Sequence, residues 1–179
     1  MIKISIKNLE KLLDFKIKKN FKSIGFDTAN RTGICFIDTT SKDIKIDWMF
    51  IEFKDAGSKK QKYITMVNTF ADILDKQNLA VVEDVFVGFN RKGSIELARF
   101  GSFAIAESIK KGIDFETISA MSARAKFQID ARLFGKGKSK KAVAYWLEKK
   151  FDIKLDDEDI SDAIILALIG VCDGIKYEK

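Results

Sequence analysis

The sequence contains no histidine and no proline, and it has only two cysteines among 179 residues. Without histidine, the usual zinc site and a Ser-His or Cys-His catalytic pair are excluded. Cys35 and Cys172 lie in apolar surroundings, and neither belongs to a Cys-x-x-Cys pair. We therefore expect both to be buried, reduced thiols. The carboxylates are therefore the main candidates for acid–base catalysis or metal binding in this chain.

Long apolar runs are also missing. No segment approaches the ~20 apolar residues that a transmembrane helix needs, and the N-terminal residues alternate apolar and Lys instead of forming a signal-peptide core. We expect a cytoplasmic protein with no membrane partner. With 46% hydrophobic residues, the chain is long enough for one core and too short for two large lobes. We predict a basic extension at residues 1–22 and one domain at residues 23–175.

Arginine is scarce, at five residues against 27 lysines, and the net charge is +6. Excess positive charge favours polyanions such as nucleic acid. A Lys-rich, Pro-free composition also fits the AT-rich coding of a low-GC bacterium or its phage. The charge is uneven, because residues 1–22 and 120–150 are basic and residues 151–179 are acidic. This division suits a protein that attracts phosphates and also holds cations.

Three carboxylates interrupt apolar segments. Asp27 lies inside an apolar strand, Glu83 follows a second apolar run, and Asp162 lies within an apolar helix. A carboxylate in a low-dielectric core costs several kcal/mol unless a partner or a metal compensates. Mg²⁺ and Mn²⁺ prefer carboxylate oxygens, and acidic clusters that hold two such ions cleave phosphodiesters in many enzymes. The three residues together predict a metal-dependent nuclease.

The spacing of apolar residues predicts an α/β fold. We predict strands at 23–28, 32–38, 44–53, 79–85 and 115–120. We predict helices at 57–76, 94–111, 142–150 and 156–170. The order of these elements predicts a mixed five-stranded sheet, three antiparallel strands followed by two parallel ones, with helices on both faces.

The acidic residues stand in three segments with a distinctive order. The segments are Ile24-Gly25-Phe26-Asp27-Thr28 followed by Thr32-Gly33, then Val82-Glu83-Asp84-Val85-Phe86, then Asp159-Ile160-Ser161-Asp162-Ala163. Over roughly residues 23–170 the sequence resembles the RuvC family of Holliday junction resolvases, in the ribonuclease H-like superfamily. The resemblance implies structure-selective cleavage of four-way or branched DNA by a two-metal-ion mechanism with Mg²⁺ or Mn²⁺. It also implies that the catalytic and metal-binding residues are Asp27, Glu83, Asp159 and Asp162.

Asp159 and Glu83 each have an alternative interpretation. Asp159 lies near the start of the last predicted helix, where capping and the helix dipole also favour an acid. Asp162 lies beyond the first turn, so capping does not account for it. Asp84 competes with Glu83, but adjacent strand residues face opposite ways and only one can serve the site.

Candidate DNA contacts lie in two places. Lys136, Lys138, Lys140 and Lys141 are either a solvated basic loop or phosphate contacts near the scissile bond, where a lysine would also offset transition-state charge. Phe86 is either strand-end core or, as the family position implies, an aromatic wedge against unpaired bases.

Other functions and the assembly state also follow from the sequence. The chain remains compatible with another ribonuclease H-like nuclease acting on RNA or RNA–DNA hybrids, or with a non-catalytic DNA-binding module. Its first hairpin also resembles that of actin-like ATPases and sugar kinases, but those proteins need two lobes. Because resolving a junction needs two matched incisions, we expect a symmetric homodimer. The interface is predicted at helix 94–111, whose apolar residues, including Phe100 and Phe103, spread over more than one face.

Overall fold

The computed structural model describes residues 1–53, 57–85, 91–135, 139–155 and 157–175, and only the backbone of Arg91, Ala131, Leu133, Glu158 and Asp159. Within these residues there are six strands: β1 (Ile2–Ser5), β2 (Lys22–Asp27), β3 (Arg31–Asp38), β4 (Asp43–Glu52), β5 (Leu79–Asp84) and β6 (Asp114–Ser119). The α-helices of the same residues are α1 (Ile6–Leu13), α2 (Lys59–Ile73), α3 (Arg91–Lys110), α4 (Ala120–Lys126), α5 (Ser139–Phe151) and α6 (Glu158–Val171). A 3-10 turn at Ala131–Phe134 precedes α5.

The strands form one mixed sheet in the order β1-β4-β3-β2-β5-β6. The predicted α/β class is confirmed: β2, β3 and β4 are antiparallel, and β5 and β6 run parallel to β2. The predicted count of five strands was one too low. The additional strand, β1, pairs antiparallel with β4, with Ile2 opposite Ile46. A strand of four residues is too short to give a periodic signal, which is why the sequence did not reveal it.

The sequence does not predict helix α4, since none of the predicted helices covers Ala120–Lys126. The helix has seven residues, and Ala123 is the one that is buried. A single buried position gives no helical periodicity, so the sequence carried no amphipathic signal here. Ser119 begins the helix, because its side chain accepts a hydrogen bond from the backbone N–H of Ser122.

Helices cover both faces of the sheet, as predicted. On one face α2 and α3 enclose a core that includes Phe26, Phe70 and Phe100. On the other face α6 crosses β2 and β3, and it is in turn covered by α5. Because α6 lies between the sheet and other elements, it is apolar on nearly all sides. Within the described residues, no helix combines the length and the apolar character needed to cross a membrane.

The N-terminal extension packs on the same core as α6. Leu9 and Leu13 of α1 are buried there together with Ile17. Ile17 bridges to Cys172, and Lys18 Nζ donates a hydrogen bond to the Gly170 carbonyl at 3.1 Å. Residues 1–22 therefore supply both a sheet edge and a helix to the fold.

Candidate active site

Asp27 and Glu83 lie side by side because their strands are parallel neighbours. Phe26 of β2 is paired with Val82 of β5, and the next residue on each strand is one of the two acids. The carboxyl ends of parallel strands meet at one edge of a sheet, where ligand sites commonly lie. The register therefore places both carboxylates at that edge, with Asp27 buried.

Helix α6 brings a third carboxylate, Asp162, to the same place. Gly25 makes its close approach to β2 possible, because a Cβ atom there would lie 2.4 Å from the carbonyl oxygen of Ala163 and 2.5 Å from the backbone nitrogen of Ala167. Asp162 is buried one residue before Ala163. A glycine two residues before Asp27 thus sets the position of Asp162, an acid that lies 137 residues after that glycine in the sequence.

The surroundings of Glu83 favour the protonated form of its side chain by raising the pKa. Burial raises the pKa of Glu83 to about 9, and a hydrogen bond with Asp27 and the charges of Asp27 and Asp162 add to the rise. The positive charge of Lys140 opposes these effects without reversing them. A pKa of about 9 means that the two strand-end acids share a proton when no metal compensates their charge.

Two basic side chains neutralise the remaining acids. Arg124 of α4 donates through Nη2 to both carboxylate oxygens of Asp162, at 3.0 and 2.8 Å. Burial raises the pKa of Asp162, and the adjacent Arg124 charge opposes that rise. The ammonium of Lys140, at the start of α5, lies 3.1 Å from Asp27 Oδ2 and 3.9 Å from Asp162 Oδ2. It therefore bridges two carboxylates on different elements.

The donor set fits a divalent metal. Carboxylate oxygens are the preferred ligands of Mg²⁺ and Mn²⁺, and the ammonium of Lys140 already bridges Asp27 and Asp162 as a cation. In the arrangement of the described side chains, no three acidic or thiol groups are positioned to hold an ion. A divalent ion held by Asp27 and Asp162 would take the place of the Lys140 ammonium, and Glu83 would join it as the charged carboxylate.

The structure brings together three of the four predicted metal-binding acids: Asp27, Glu83 and Asp162. Asp159 lies on α6, three residues before Asp162 and so on the same side of the helix, but its side chain is outside the described residues. Asp84 is exposed, in agreement with the expectation that it faces away from Glu83.

The predicted DNA contacts are only partly described. Lys140 lies against the acids and Lys141 is exposed on the first turn of α5. Phe86, Lys136 and Lys138 lie outside the described residues.

Sequence reasoning missed Arg124, because it missed the helix that carries it. One signal was present: arginine is scarce in this chain, and its planar guanidinium is better suited than lysine to hold a buried carboxylate. Arg124 also lines a groove of about 720 Å³, together with Met121, Gln128, Arg132 and Ser139. Met121 is 78% exposed there.

The raised pKa of Glu83 predicts how the stability of the metal-free protein depends on pH. The pKa rises from 4.5 in the reference state to about 9 in the fold, so between these values the folded protein binds a proton that the unfolded chain releases. The contribution to stability is complete below the lower value and is lost as pH rises through the upper one. We expect the Tm, measured in a chelator, to fall from about pH 6 to about pH 9. In Glu83→Gln the Tm should depend less on pH, whereas in Asp84→Asn it should depend on pH as in the wild type. Equal slopes of Tm against pH in all three proteins would contradict the raised pKa of Glu83.

The chain is similar to known proteins in sequence and in fold. The family model described as "Crossover junction endodeoxyribonuclease RuvC" matches residues 24–170. A crossover junction endodeoxyribonuclease RuvC from Helicobacter pylori (strain ATCC 700392 / 26695) is 31% identical over 152 residues, which cover 81% of this chain and 92% of the relative. The RuvC of Aliarcobacter butzleri (strain RM4018) is 29% identical over 155 residues, covering 82% and 96% respectively.

Solved structures share the fold. The chain matches T. thermophilus RuvC in complex with Holliday junction substrate at a TM-score of 0.65 and 12% identity, over 83% of this chain and 90% of that one. It matches the yeast mitochondrial Holliday junction resolvase Ydc2 at a TM-score of 0.54 and 13% identity, over 89% and 81%. These matches confirm the predicted ribonuclease H-like architecture.

Proposed function

This chain belongs to the RuvC family of crossover junction endodeoxyribonucleases, and we propose that it cleaves four-way (Holliday) or branched DNA at a metal site built on Asp27, Glu83 and Asp162. The family assignment carries the reaction class, a metal-dependent endonuclease. The proposed position of the site rests on one observation. Three carboxylates from β2, β5 and α6 lie close together, and one lysine bridges two of them.

We propose that Asp27, Glu83, Asp159 and Asp162 hold two Mg²⁺ or Mn²⁺ ions. When bound, such ions activate a water molecule and stabilise the leaving 3′ oxygen. Asp27 is central, because it contacts both Glu83 and Lys140 and lies near Asp162. Arg124 keeps the Asp162 carboxylate in a fixed orientation, which limits the reorganisation needed when the metal binds.

Lys140 has two positions in this proposal. Without metal, its ammonium holds Asp27 and Asp162 together. With metal, the positive charge is displaced from the acids, and the side chain, about a third exposed, can turn toward the DNA. From there it would contact a phosphate next to the scissile bond and offset charge in the transition state. Lys136, Lys138 and Lys141, together with Phe86, are proposed as further DNA contacts.

Neighbouring lysines on α5 allow a matched test of this role. Lys140→Gln should lower the rate of junction cleavage at saturating protein by about 10²-fold, because a positioned donor at the developing charge is lost. Lys141→Gln removes the same charge from an exposed position one residue away, and it should weaken binding with little change in the saturated rate. Single-turnover cleavage with Mg²⁺ measures both effects. Equal losses in the two variants would contradict a specific role for Lys140.

The experiment that tests the function compares substrates and metals. A synthetic four-way junction, a flap, a linear duplex, an RNA–DNA hybrid and an RNA duplex are each incubated with the protein in Mg²⁺, Mn²⁺ or a chelator. We expect paired incisions in the junction with either metal, and none in the chelator. Preferred cleavage of the hybrid or of RNA would instead establish another ribonuclease H-like nuclease, and junction binding without cleavage in any metal would establish a DNA-binding module.

We propose that the protein acts as a homodimer, with the outer face of α3 as the interface. The structure changes which residues of that helix can take part. Phe100 is fully buried, and Phe103 is half-buried with its ring centroid 5.1 Å from that of Tyr63. Both rings pack toward the core, so the interface that we propose uses the apolar residues of the helix that stay exposed. Ile95 and Ile109 remain exposed on the helix, at 49% and 62%.

Light scattering tests the dimer directly. We expect a mass near twice the chain's 20.3 kDa at micromolar concentration, and a mass near one chain for the double variant Ile95→Arg/Ile109→Arg. Met49→Arg, at a 40% exposed position on β4, is the control and should remain dimeric. A wild-type protein that is monomeric both alone and on junction DNA would overturn the proposal.

We also propose that the enzyme works in the cytoplasm. Both cysteines are free thiols and both are buried, which suits a reducing compartment.

A further inference from the structure

A basic cleft lies where the N-terminal extension meets the nuclease fold. The matched family region begins at residue 24, so α1 and the turn after it lie outside that region. This segment packs against the end of α4 and the second half of α5, and the space between them is a cleft of about 250 Å³. Three lysines from three different elements line it: Lys11, Lys126 and Lys150.

Aromatic contacts hold the walls of the cleft in place. Phe15 of the extension meets Phe127 edge-on, with ring centroids 5.9 Å apart, and Phe127 meets Trp146 of α5 at 5.5 Å. Lys150 Nζ also donates a hydrogen bond to the Leu12 carbonyl at 3.1 Å, which ties α5 to the end of α1. The lysines are therefore presented by a packed scaffold, not by a loose tail.

The charge in the cleft is predominantly positive. Asp14 is the acidic residue in its lining. Glu10, on the same helix as Lys11, is directed elsewhere: its carboxylate accepts from the Ile17 backbone N–H at 3.2 Å and lies 3.7 Å from Lys16 Nζ. Three lysines against one acid in the lining favour an anionic ligand, and Trp146 in the same lining adds a surface that tolerates sugar or base contact.

Helix α5 connects this cleft to the active site. Lys140 at its start contacts the acids, and Lys150 near its end lines the cleft. Ten residues of α-helix span about 15 Å. Phosphates of one DNA strand follow each other at about 3.4 Å along the duplex axis, so this distance corresponds to roughly four to five base pairs.

We infer that the cleft is a second DNA-backbone site, which holds phosphates of a junction arm about four base pairs from the scissile bond. The inference rests on the proposed function and adds to it a role for the N-terminal extension. Lys11 comes from that extension and completes a site that Lys126 and Lys150 begin.

The salt dependence of binding tests the inference. The triple variant Lys11→Gln/Lys126→Gln/Lys150→Gln is titrated onto a fluorescent four-way junction in Ca²⁺, at several salt concentrations. Each lost phosphate contact lowers the slope of log K against log salt by roughly 0.9, so we expect a decrease of roughly two to three. The Kd should rise about tenfold at moderate salt, while the saturated rate of cleavage in Mg²⁺ stays unchanged.

A matched control tests whether the general loss of positive charge explains the result, and a single substitution tests whether a loss of stability does. Lys3→Gln/Lys76→Gln/Lys111→Gln removes the same charge from exposed positions outside the cleft, and its slope should change by less than one contact. Lys11→Glu should weaken binding more than Lys3→Glu with an unchanged Tm, which separates lost contact from lost stability. Trp48→Phe leaves Trp146 as the one tryptophan of the chain. Its fluorescence should change when junction DNA is added to this variant, and it should not change when the three lysines are also substituted.

The outcomes distinguish the two proposals. A wild-type protein that binds and cleaves junctions, with equal slopes for the triple variant and its control, would overturn the cleft site and leave the junction nuclease intact. A wild-type protein that neither binds nor cleaves junctions would defeat the proposed function itself. Cosedimentation with phosphatidylglycerol vesicles that depends on the three lysines, together with unchanged junction binding, would show that the cleft serves an anionic membrane surface and not DNA.

Discussion

Asp27→Asn is expected to abolish junction cleavage, lowering the rate by at least about 10³-fold, which is about 4 kcal/mol of lost transition-state stabilisation. The substitution keeps the volume of the side chain but removes the negative charge that two other groups of the site depend on. Lys140 lies 3.1 Å from this carboxylate, and Glu83 is hydrogen-bonded to it. An amide oxygen carries no negative charge, so it would hold a divalent cation much more weakly than the carboxylate of Asp27 would.

Binding and cleavage must be measured separately for this variant. Electrophoretic mobility shift with a four-way junction in Ca²⁺ should give a Kd near that of wild type, because Asp27 is proposed as a metal ligand and not as a phosphate contact. Asp84→Asn, at an exposed carboxylate at the end of β5, is the matched control and should cleave normally. Cleavage by Asp27→Asn at nearly the wild-type rate would show that the proposed metal site is not the active site.

The acids could be predicted from the sequence because their placement is energetically anomalous. Asp27 and Asp162 stand among residues that the fold buries, and an apolar strand or helix does not accept an unpaired charge. Strands β2, β3 and β5 have strong apolar patterns for the same reason, since most of their residues are buried between the layers that cover both faces of the sheet. Strong burial leaves a strong sequence signal.

What the sequence could not predict depends on contacts between distant segments. Arg124 lies on a helix with one buried residue, and its role appears only when Asp162 is placed beside it, 38 residues away along the chain. Lys140 is one of several lysines in a basic stretch, and its sequence environment does not distinguish it from Lys141. Only the fold shows that one of the two faces the acids.

The proton on Glu83 and the ammonium of Lys140 reduce the charge repulsion among the three carboxylates in the structure. Three neighbouring carboxylates with full charges, of which Asp27 and Asp162 are buried and Glu83 is partly buried, would repel one another strongly in a low-dielectric environment. Protonation removes one charge, Lys140 offsets another, and Arg124 offsets the third. An ion bound by these acids would replace the proton of Glu83 and the charge of Lys140, so we expect affinity for the metal to increase with pH.

Gly25→Ala should destabilise the protein strongly although it adds only one methyl group, because the added Cβ would meet backbone and not a mobile side chain. The nearest atoms are the Ala163 carbonyl oxygen at 2.4 Å and the Ala167 nitrogen at 2.5 Å. Neither atom can move unless α6 shifts away from β2 as a whole, and such overpacking costs about 3 kcal/mol. The shift would also carry Asp162 away from Asp27, so the variant should lose cleavage even at temperatures where it remains folded.

The same substitution at Gly101 of α3 is the control. A Cβ there would lie 3.3 Å from Val82 Cγ1 and 3.5 Å from Thr28 Oγ1, which are side-chain atoms. Alanine also favours a helix interior over glycine by roughly 0.5–1 kcal/mol, so Gly101→Ala should unfold close to the wild-type midpoint. Urea denaturation of the three proteins, followed by circular dichroism, gives the free energies of unfolding, and junction cleavage is assayed well below each midpoint. If Gly25→Ala matched wild type in both stability and cleavage, the close packing of α6 on β2 would not be what positions Asp162.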